Sequence, residues 1–114
     1  MRPYESLRRE ADFVRVRRRG RRIEGKHFRL WALAVAEAEG GERRSRVGIV
    51  SAKDVGSAVE RNRARRRLRA LLFKGGDAAV PAGYDVVLWA RPSARTAPFA
   101  EMRADLASAL GRLG

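Results

Sequence analysis

An α+β fold, with a single sheet packed against helices, is predicted by three observations. Apolar residues recur at helical spacing in three segments, around 6–19, 57–73 and 96–113. Three apolar runs of strand length lie at 27–36, 46–51 and 84–90. Gly20, Gly40-Gly41, Gly75-Gly76 and Arg91-Pro92 separate these segments as turn residues do. The order α-β-β-α-β-α is not a βα repeat, so the helices are expected on one sheet. A chain of 114 residues can bury one core, and it shows no repeat or linker, so 1–114 reads as a single domain.

Ser6 to Arg19 reads as the first helix, with Leu7, Ala11 and Val14 at i, i+4 and i+7 and Phe13 and Val16 beside that stripe. Ser6 is its expected N-cap and Gly20 its C-terminal cap. Arg21 to Lys26 reads as a basic, turn-like link. In the first strand, His27 to Ala36, Phe28 and Leu30 alternate with His27 and Arg29. Glu37 to Ser45 reads as a hairpin loop, and Arg46 to Ser51 as the partner strand. Gly56-Ser57 opens a helix to about Phe73, with Ser57 as N-cap and Gly75-Gly76 as its stop. After a loop from Asp77 to Gly83, Tyr84 to Ala90 forms the third strand. Thr96 is expected to cap the last helix, with Pro98 in its first turn. Phe99, Met102, Leu106, Ala109, Leu110 and Leu113 make that helix's apolar face.

The net charge is +13 on 12.7 kDa. Such a field attracts polyanions and resists self-association. Only Lys26, Lys53 and Lys74 are lysines. A GC-rich genome also favours arginine over lysine, but it does not create a positive excess. Guanidinium groups bind phosphate through two parallel donors and stack on bases. The absence of cysteine excludes disulfides and thiolate metal sites. No apolar run is long enough to cross a bilayer, and Met1 to Glu10 lacks a signal-peptide core, so a cytoplasmic protein without a membrane partner is expected.

The most informative segment runs from Val59 to Arg69, with six arginines between Arg61 and Arg69. On a helix, Ala64, Leu68, Leu71 and Leu72 share one arc, which is the expected core face. Asn62, Arg65, Arg66 and Arg69 share a neighbouring arc, and Arg63 and Arg67 lie further round. Arginines at i, i+4 repel and weaken an isolated helix. Glu60 is the only acidic residue from Val55 to Gly76. An external anion is therefore the expected countercharge, against the plainer reading of a solvated basic face.

A second basic segment, Arg8 to Arg22, holds eight arginines around Phe13. Rings among arginines suit single-stranded RNA, where bases stack and phosphates meet guanidinium groups. Phe13 reads equally as a core ring and as a ring at a cleft edge. Of Phe28 and Trp31, only one can line a given sheet face. The lone histidine, His27, reads as a surface or phosphate contact. With no second histidine, no clustered carboxylates and no phosphate-binding glycine loop, the side chains supply no nuclease centre of their own.

Arg61-Asn62-Arg63, followed by Arg65-Arg66 and Arg69, resembles the RNR motif of the bacterial ribonuclease P protein family. Arg46 to Lys53 resembles the strand ahead of that motif, and Val55 to Val59 its lead-in. Leu7 to Phe13 with Gly20 resembles the family's opening, and Ala90-Arg-Pro and Phe99-Ala-Glu101 its last strand and helix. The resemblance spans Leu7 to Leu113. It implies a fold like ribosomal protein S5 domain 2, with a left-handed βαβ crossover. It implies a catalytic RNA subunit that uses Mg²⁺ to remove the 5′ leader of precursor tRNA, the ion being held mainly by the RNA subunit and substrate. By position it makes Arg61, Asn62, Arg63, Arg65, Arg66, Arg69 and Lys53 contacts to the RNA subunit. Phe13 and Trp31 match aromatic leader-cleft positions. Arg17 stands where the family often has another ring, which implies a phosphate contact in its place. Arg9, Arg15, Arg18, Arg19, Arg21 and Arg22 are further basic candidates for RNA. The competing readings are a ribosome- or nucleoid-associated protein, which would not prefer precursor over mature tRNA, and a stand-alone nuclease, which the scattered carboxylates disfavour.

Overall fold

The computed structural model describes residues 5–35, 45–74, 80–81 and 83–113. In chain order the elements are β1 (Glu5–Ser6), α1 (Glu10–Arg19), β2 (Arg21–Glu24), β3 (Phe28–Ala34), β4 (Arg46–Val50), a 3₁₀ turn (Lys53–Val55), α2 (Ala58–Lys74), β5 (Tyr84–Ala90), a second 3₁₀ turn (Pro92–Arg95) and α3 (Phe99–Gly111). The three helices and three long strands follow the predicted order. The expected stop at Gly75-Gly76 and most of the loops at 37–45 and 77–83 lie outside the described residues.

The five strands form one sheet in the order β1-β4-β5-β3-β2. Central β5 runs parallel to β4 and antiparallel to β3. Buried on both faces, it reads as an unbroken apolar run after Asp85. Val86, Leu88 and Ala90 join Phe28, Leu30 and Ala32 of β3 in the main core, with Leu68, Leu71, Met102 and Leu106 from α2 and α3. Each of these four helix side chains is fully buried, a contribution of about 1.5–3 kcal/mol apiece. On the other face, Val87 meets Leu7 and Val16 in a smaller cluster, with Phe13, Trp31, Leu33 and Val50 packed against it. Strand alternation thus sends Phe28 into the main core and Trp31 to the side of α1.

Four local expectations are corrected. Arg46–Val50 is not the hairpin partner of β3: β5 lies between them, antiparallel to β3 and parallel to β4, because the chain returns through α2 before β5 fills the centre of the sheet. Ser6 does not cap α1. The backbone on either side of it is tied to the β4 edge, Glu5 N–H donating to the Ser45 carbonyl (2.9 Å) and Leu7 N–H to Val47 (3.0 Å). The helix starts three residues later, with Arg9 at the cap and no side-chain cap bond. Arg21 to Glu24 is a strand rather than a turn, pairing with β3 from Arg21↔Ala32 to Glu24↔Arg29. Ile23 enters the core while the flanking arginines stay exposed, so tertiary pairing overrides a sequence poor in strand formers. Thr96 closes the second 3₁₀ turn, and Pro98 occupies the cap of α3.

The entry to α2 follows its expected chemistry and extends it. Glu60 N–H donates to Ser57 Oγ (3.3 Å), and Ser57 N–H donates to Glu60 Oε1 (3.0 Å), a reciprocal cap. Gly56 precedes it at φ 140°, in the region that side chains rarely enter. The Ser57 N–H, followed by the charge of Arg95, holds the Glu60 carboxyl below its ordinary value. At the opposite edge, Lys26 and His27 backbone N–H groups donate to Asp105 (2.9 Å each) and dock the β2–β3 turn on α3.

Candidate nucleic-acid interface

Helix α2 is divided as its periodicity requires. Ala64, Leu68, Leu71 and Leu72 are buried, while Asn62, Arg63, Arg66 and Arg69 are exposed and Arg61 and Arg65 half-buried. Val59, Asn62, Arg65, Arg66 and Arg69 line a shallow concavity of about 350 Å³. Arg65 Nη2 donates to Asn62 Oδ1, one helical turn earlier. Among the described residues, none of the six arginines from Arg61 to Arg69 forms an ion pair with a carboxylate. Glu60, the one acid on this helix, is taken by Arg95. Lys53 is exposed on the turn just ahead of the helix.

Arg67 differs from its neighbours. Its guanidinium donates to the carbonyls of Ala94 (2.9 Å) and Ala97, tying α2 to the turn before α3. Its periodicity gives no sign of this, because both acceptors are backbone atoms some thirty positions away.

Beside α2 lies a cleft of about 390 Å³, with Phe13 and Arg17 of α1, Val50 and Trp89 of the sheet, Ser51 just past β4, and Arg65 of α2 in its walls. Phe13 is half-buried against Gly48, where a Cβ would stand only 2.2 Å from its ring. The ring therefore both packs the helix and edges the cleft. The Arg17 guanidinium carbon lies 4.9 Å from the centroid of the Trp89 ring. Trp31 meets Trp89 edge-on at 6.0 Å, and Arg29 stands 6.0 Å from Trp31. Trp89 was missed in the sequence because it sits in a run that reads as core. Its period-2 relation to Asp85 and Val87, on the face shared with α1, was the available signal.

The remaining basic candidates divide into two groups. Arg15 pairs with Asp12 (2.8 Å), Arg22 with Glu24 (2.5 Å), and Arg21 donates to the Arg112 carbonyl (2.6 Å). Arg9, Arg18 and Arg19 have exposed side chains without a partner among the described residues. The expectation of a surface His27 is overturned. It is 5% exposed, with Nδ1 2.8 Å from Ser93 Oγ and Nε2 3.2 Å from Glu101 Oε1. The residue follows directly on the turn that Asp105 pins down, so its ring is drawn between α3 and the second 3₁₀ turn. Lys26 and then His27 hold the Glu101 carboxyl below its usual range. No three His, Asp or Glu side chains converge as a metal site among the described residues.

This fold and this charge distribution define a small basic α+β protein with an arginine-faced helix beside an aromatic cleft, suited to a polyanion with exposed bases. The chain belongs to the bacterial ribonuclease P protein family: the family model described as Ribonuclease P matches residues 1–114. It is 39% identical over 107 residues to the ribonuclease P protein component of Acidothermus cellulolyticus, covering 94% of this chain and 86% of that one. It is 40% identical over 112 residues to the component of Rhodococcus opacus, covering 94% and 86%. Among solved structures, the RNase P protein from Thermotoga maritima superposes with a TM-score of 0.77 at 26% identity, covering 96% of this chain and 98% of that one. The Staphylococcus aureus RNase P protein shares the fold, with a TM-score of 0.75 at 24% identity and coverage of 95% and 94%.

Proposed function

We propose that this chain is the protein subunit of a ribonuclease P holoenzyme in the cytoplasm, binding the catalytic RNA subunit through α2 and the 5′ leader of precursor tRNA in the cleft. The observation that carries this reading is the α2 face itself: five arginines, Arg61, Arg63, Arg65, Arg66 and Arg69, with no carboxylate countercharge among the described residues. Like charges so spaced weaken a helix until an anion meets them. Asn62 and Lys53 extend this surface toward the RNA. In the cleft, Phe13 and Trp89 offer rings to leader bases, and Arg17 offers its guanidinium to the backbone; Trp31, expected there from the sequence, does not line the cleft but meets Trp89 edge-on.

Phosphodiester hydrolysis belongs to the RNA subunit. The chain contributes no nucleophile or base. It neutralises phosphates, so that the RNA folds and binds Mg²⁺ at lower ion concentration, and it holds the leader near the reacting bond. Among the described residues no donor set fits a metal ion, and Mg²⁺ is assigned to RNA and substrate oxygens, with no step routed through a protein-held ion.

The test is reconstitution with a bacterial ribonuclease P RNA. The expected result is cleavage of precursor tRNA at lower Mg²⁺ than RNA alone requires, with log affinity falling steeply against log salt. An unchanged Mg²⁺ requirement would remove the reading. Equal affinity of the holoenzyme for precursor and mature tRNA would favour a general polyanion-binding protein.

A further inference from the structure

Helix α1 crosses one sheet face and divides it. Phe13 and Arg17 look into the cleft on one flank. On the other flank Asp12, Arg15 and Arg19 overhang Arg46 of β4, Asp85 of β5 and residues 33–35, enclosing a hollow of about 770 Å³. The cleft accounts for only about 390 Å³. The α2 face and the cleft leave this larger hollow unoccupied by any assigned RNA contact.

Its floor is internally neutral. Asp85, 1% exposed, accepts from Arg46 Nε (3.0 Å) and Nη2 (2.6 Å), and Arg15 stands 3.6 Å away. Arg46 also lies 3.6 Å from Asp12, which Arg15 pairs at 2.8 Å. The hydrogen bond to Asp85, opposed in part by burial, raises the proton affinity of the Arg46 guanidinium. The rim is different. Among the described residues, Arg8, Arg9 and Arg19 are exposed with side chains that have no partner, and Glu5 is the single rim carboxylate. Among the described residues the walls offer guanidinium forks and aliphatic side chains but no ring to stack on a base. That chemistry fits a phosphodiester backbone irrespective of sequence.

Arg8 lines both the hollow and the cleft. A strand in the cleft can therefore continue past the start of α1 without leaving cationic surface. We propose that the hollow is a second phosphate-binding site, holding the distal part of the strand whose proximal part occupies the cleft. The proposal rests on the reading that this strand is the leader.

The test uses the reconstituted holoenzyme with precursors bearing leaders of about four and about sixteen nucleotides, the span of site sizes in compact single-strand binders. The Arg9→Ala/Arg19→Ala variant is expected to bind the long-leader precursor roughly twofold to thirtyfold more weakly, the range for two exposed ion pairs. The slope of log affinity against log salt should fall by about 1.4, or 0.7 for each lost single-strand contact. Short-leader affinity and affinity for the RNA subunit should match wild type. Arg9→Lys/Arg19→Lys should recover most of the loss, because the contact is with charge.

Long-leader binding equal to wild type would overturn the proposal. So would a loss of equal size for short leaders, mature tRNA or the RNA subunit alone, since that would assign the hollow to another RNA surface. A wild-type holoenzyme indifferent to any leader would instead overturn the functional reading on which the proposal rests.

Discussion

Replacing Gly48 by alanine tests how the cleft is built. Gly48 lies in the middle of β4, paired with Val87, and the Phe13 ring rests on it. A Cβ there would stand 2.2 Å from Phe13 Cε1 and 2.5 Å from Cζ. Ordinary carbon contacts lie near ~3.5 Å, so the ring must move by about 1.3 Å. It is not free to do so, because it packs against the cluster of Leu7, Val16 and Val87. Overpacking of this kind costs about 1–3 kcal/mol. Loss of glycine freedom in the unfolded chain offsets about 0.4–1 kcal/mol. The expected net destabilisation is about 0.6–2 kcal/mol, a fall of roughly 0.3–1 M in the urea midpoint for a small domain. The ring is also displaced at the cleft edge, so the holoenzyme's preference for precursor over mature tRNA should fall, as it should for Phe13→Ala. Adding Phe13→Leu to Gly48→Ala should recover stability without recovering the preference, since the two positions are directly coupled. A Gly48→Ala protein with the wild-type midpoint and wild-type tRNA preference would refute the reasoning.

Three further outcomes follow from the same structure. Arg65→Ala/Arg66→Ala should weaken assembly with the RNA subunit while changing stability by less than about 0.5 kcal/mol, because both side chains lie off the buried arc; loss of the helical circular dichroism signal would contradict this. Arg67→Ala should do the reverse, costing about 1.5–3 kcal/mol by leaving the Ala94 and Ala97 carbonyls without their charged donor; an unaltered urea midpoint would count against it. Glu60 and Glu101 have folded-state values below their ordinary 4.5. Their stabilisation is thus complete above that pH and fades as pH falls through the lowered values. Glu60→Gln/Glu101→Gln should flatten this acid limb in urea midpoints measured against pH; parallel curves for variant and wild type would show that these carboxylates do not set it.

The long elements were legible because each carries its own period. Tyr84 to Ala90 and the Ala64–Leu68–Leu71 arc announce a strand and a helix face without help from elsewhere in the chain. The elements that were not legible depend on remote partners. Strand β2 is nearly all charged and exists because β3 offers it a ladder. Ser6 is drawn away from α1 by the β4 edge. His27 has a surface residue's neighbours in sequence, yet α3 and Ser93 enclose it. The site divides in the same way. The exposed arginines of α2 followed from the helix period, whereas the inward role of Arg67 and the Arg17–Trp89 stack required the folded chain. The split between free arginines such as Arg9 and internally paired ones such as Arg15 also depends on carboxylates that only the fold brings near.

The central claim is that α2 turns its free guanidinium groups to a folded RNA. Arginine modification by a dicarbonyl reagent, mapped by mass spectrometry with and without bound ribonuclease P RNA, reads this directly. Arg63, Arg66 and Arg69 should react readily in the free chain and be protected in the complex, while Arg67 reacts slowly in both. Equal modification of Arg63, Arg66 and Arg69 in free and RNA-bound protein would contradict the account.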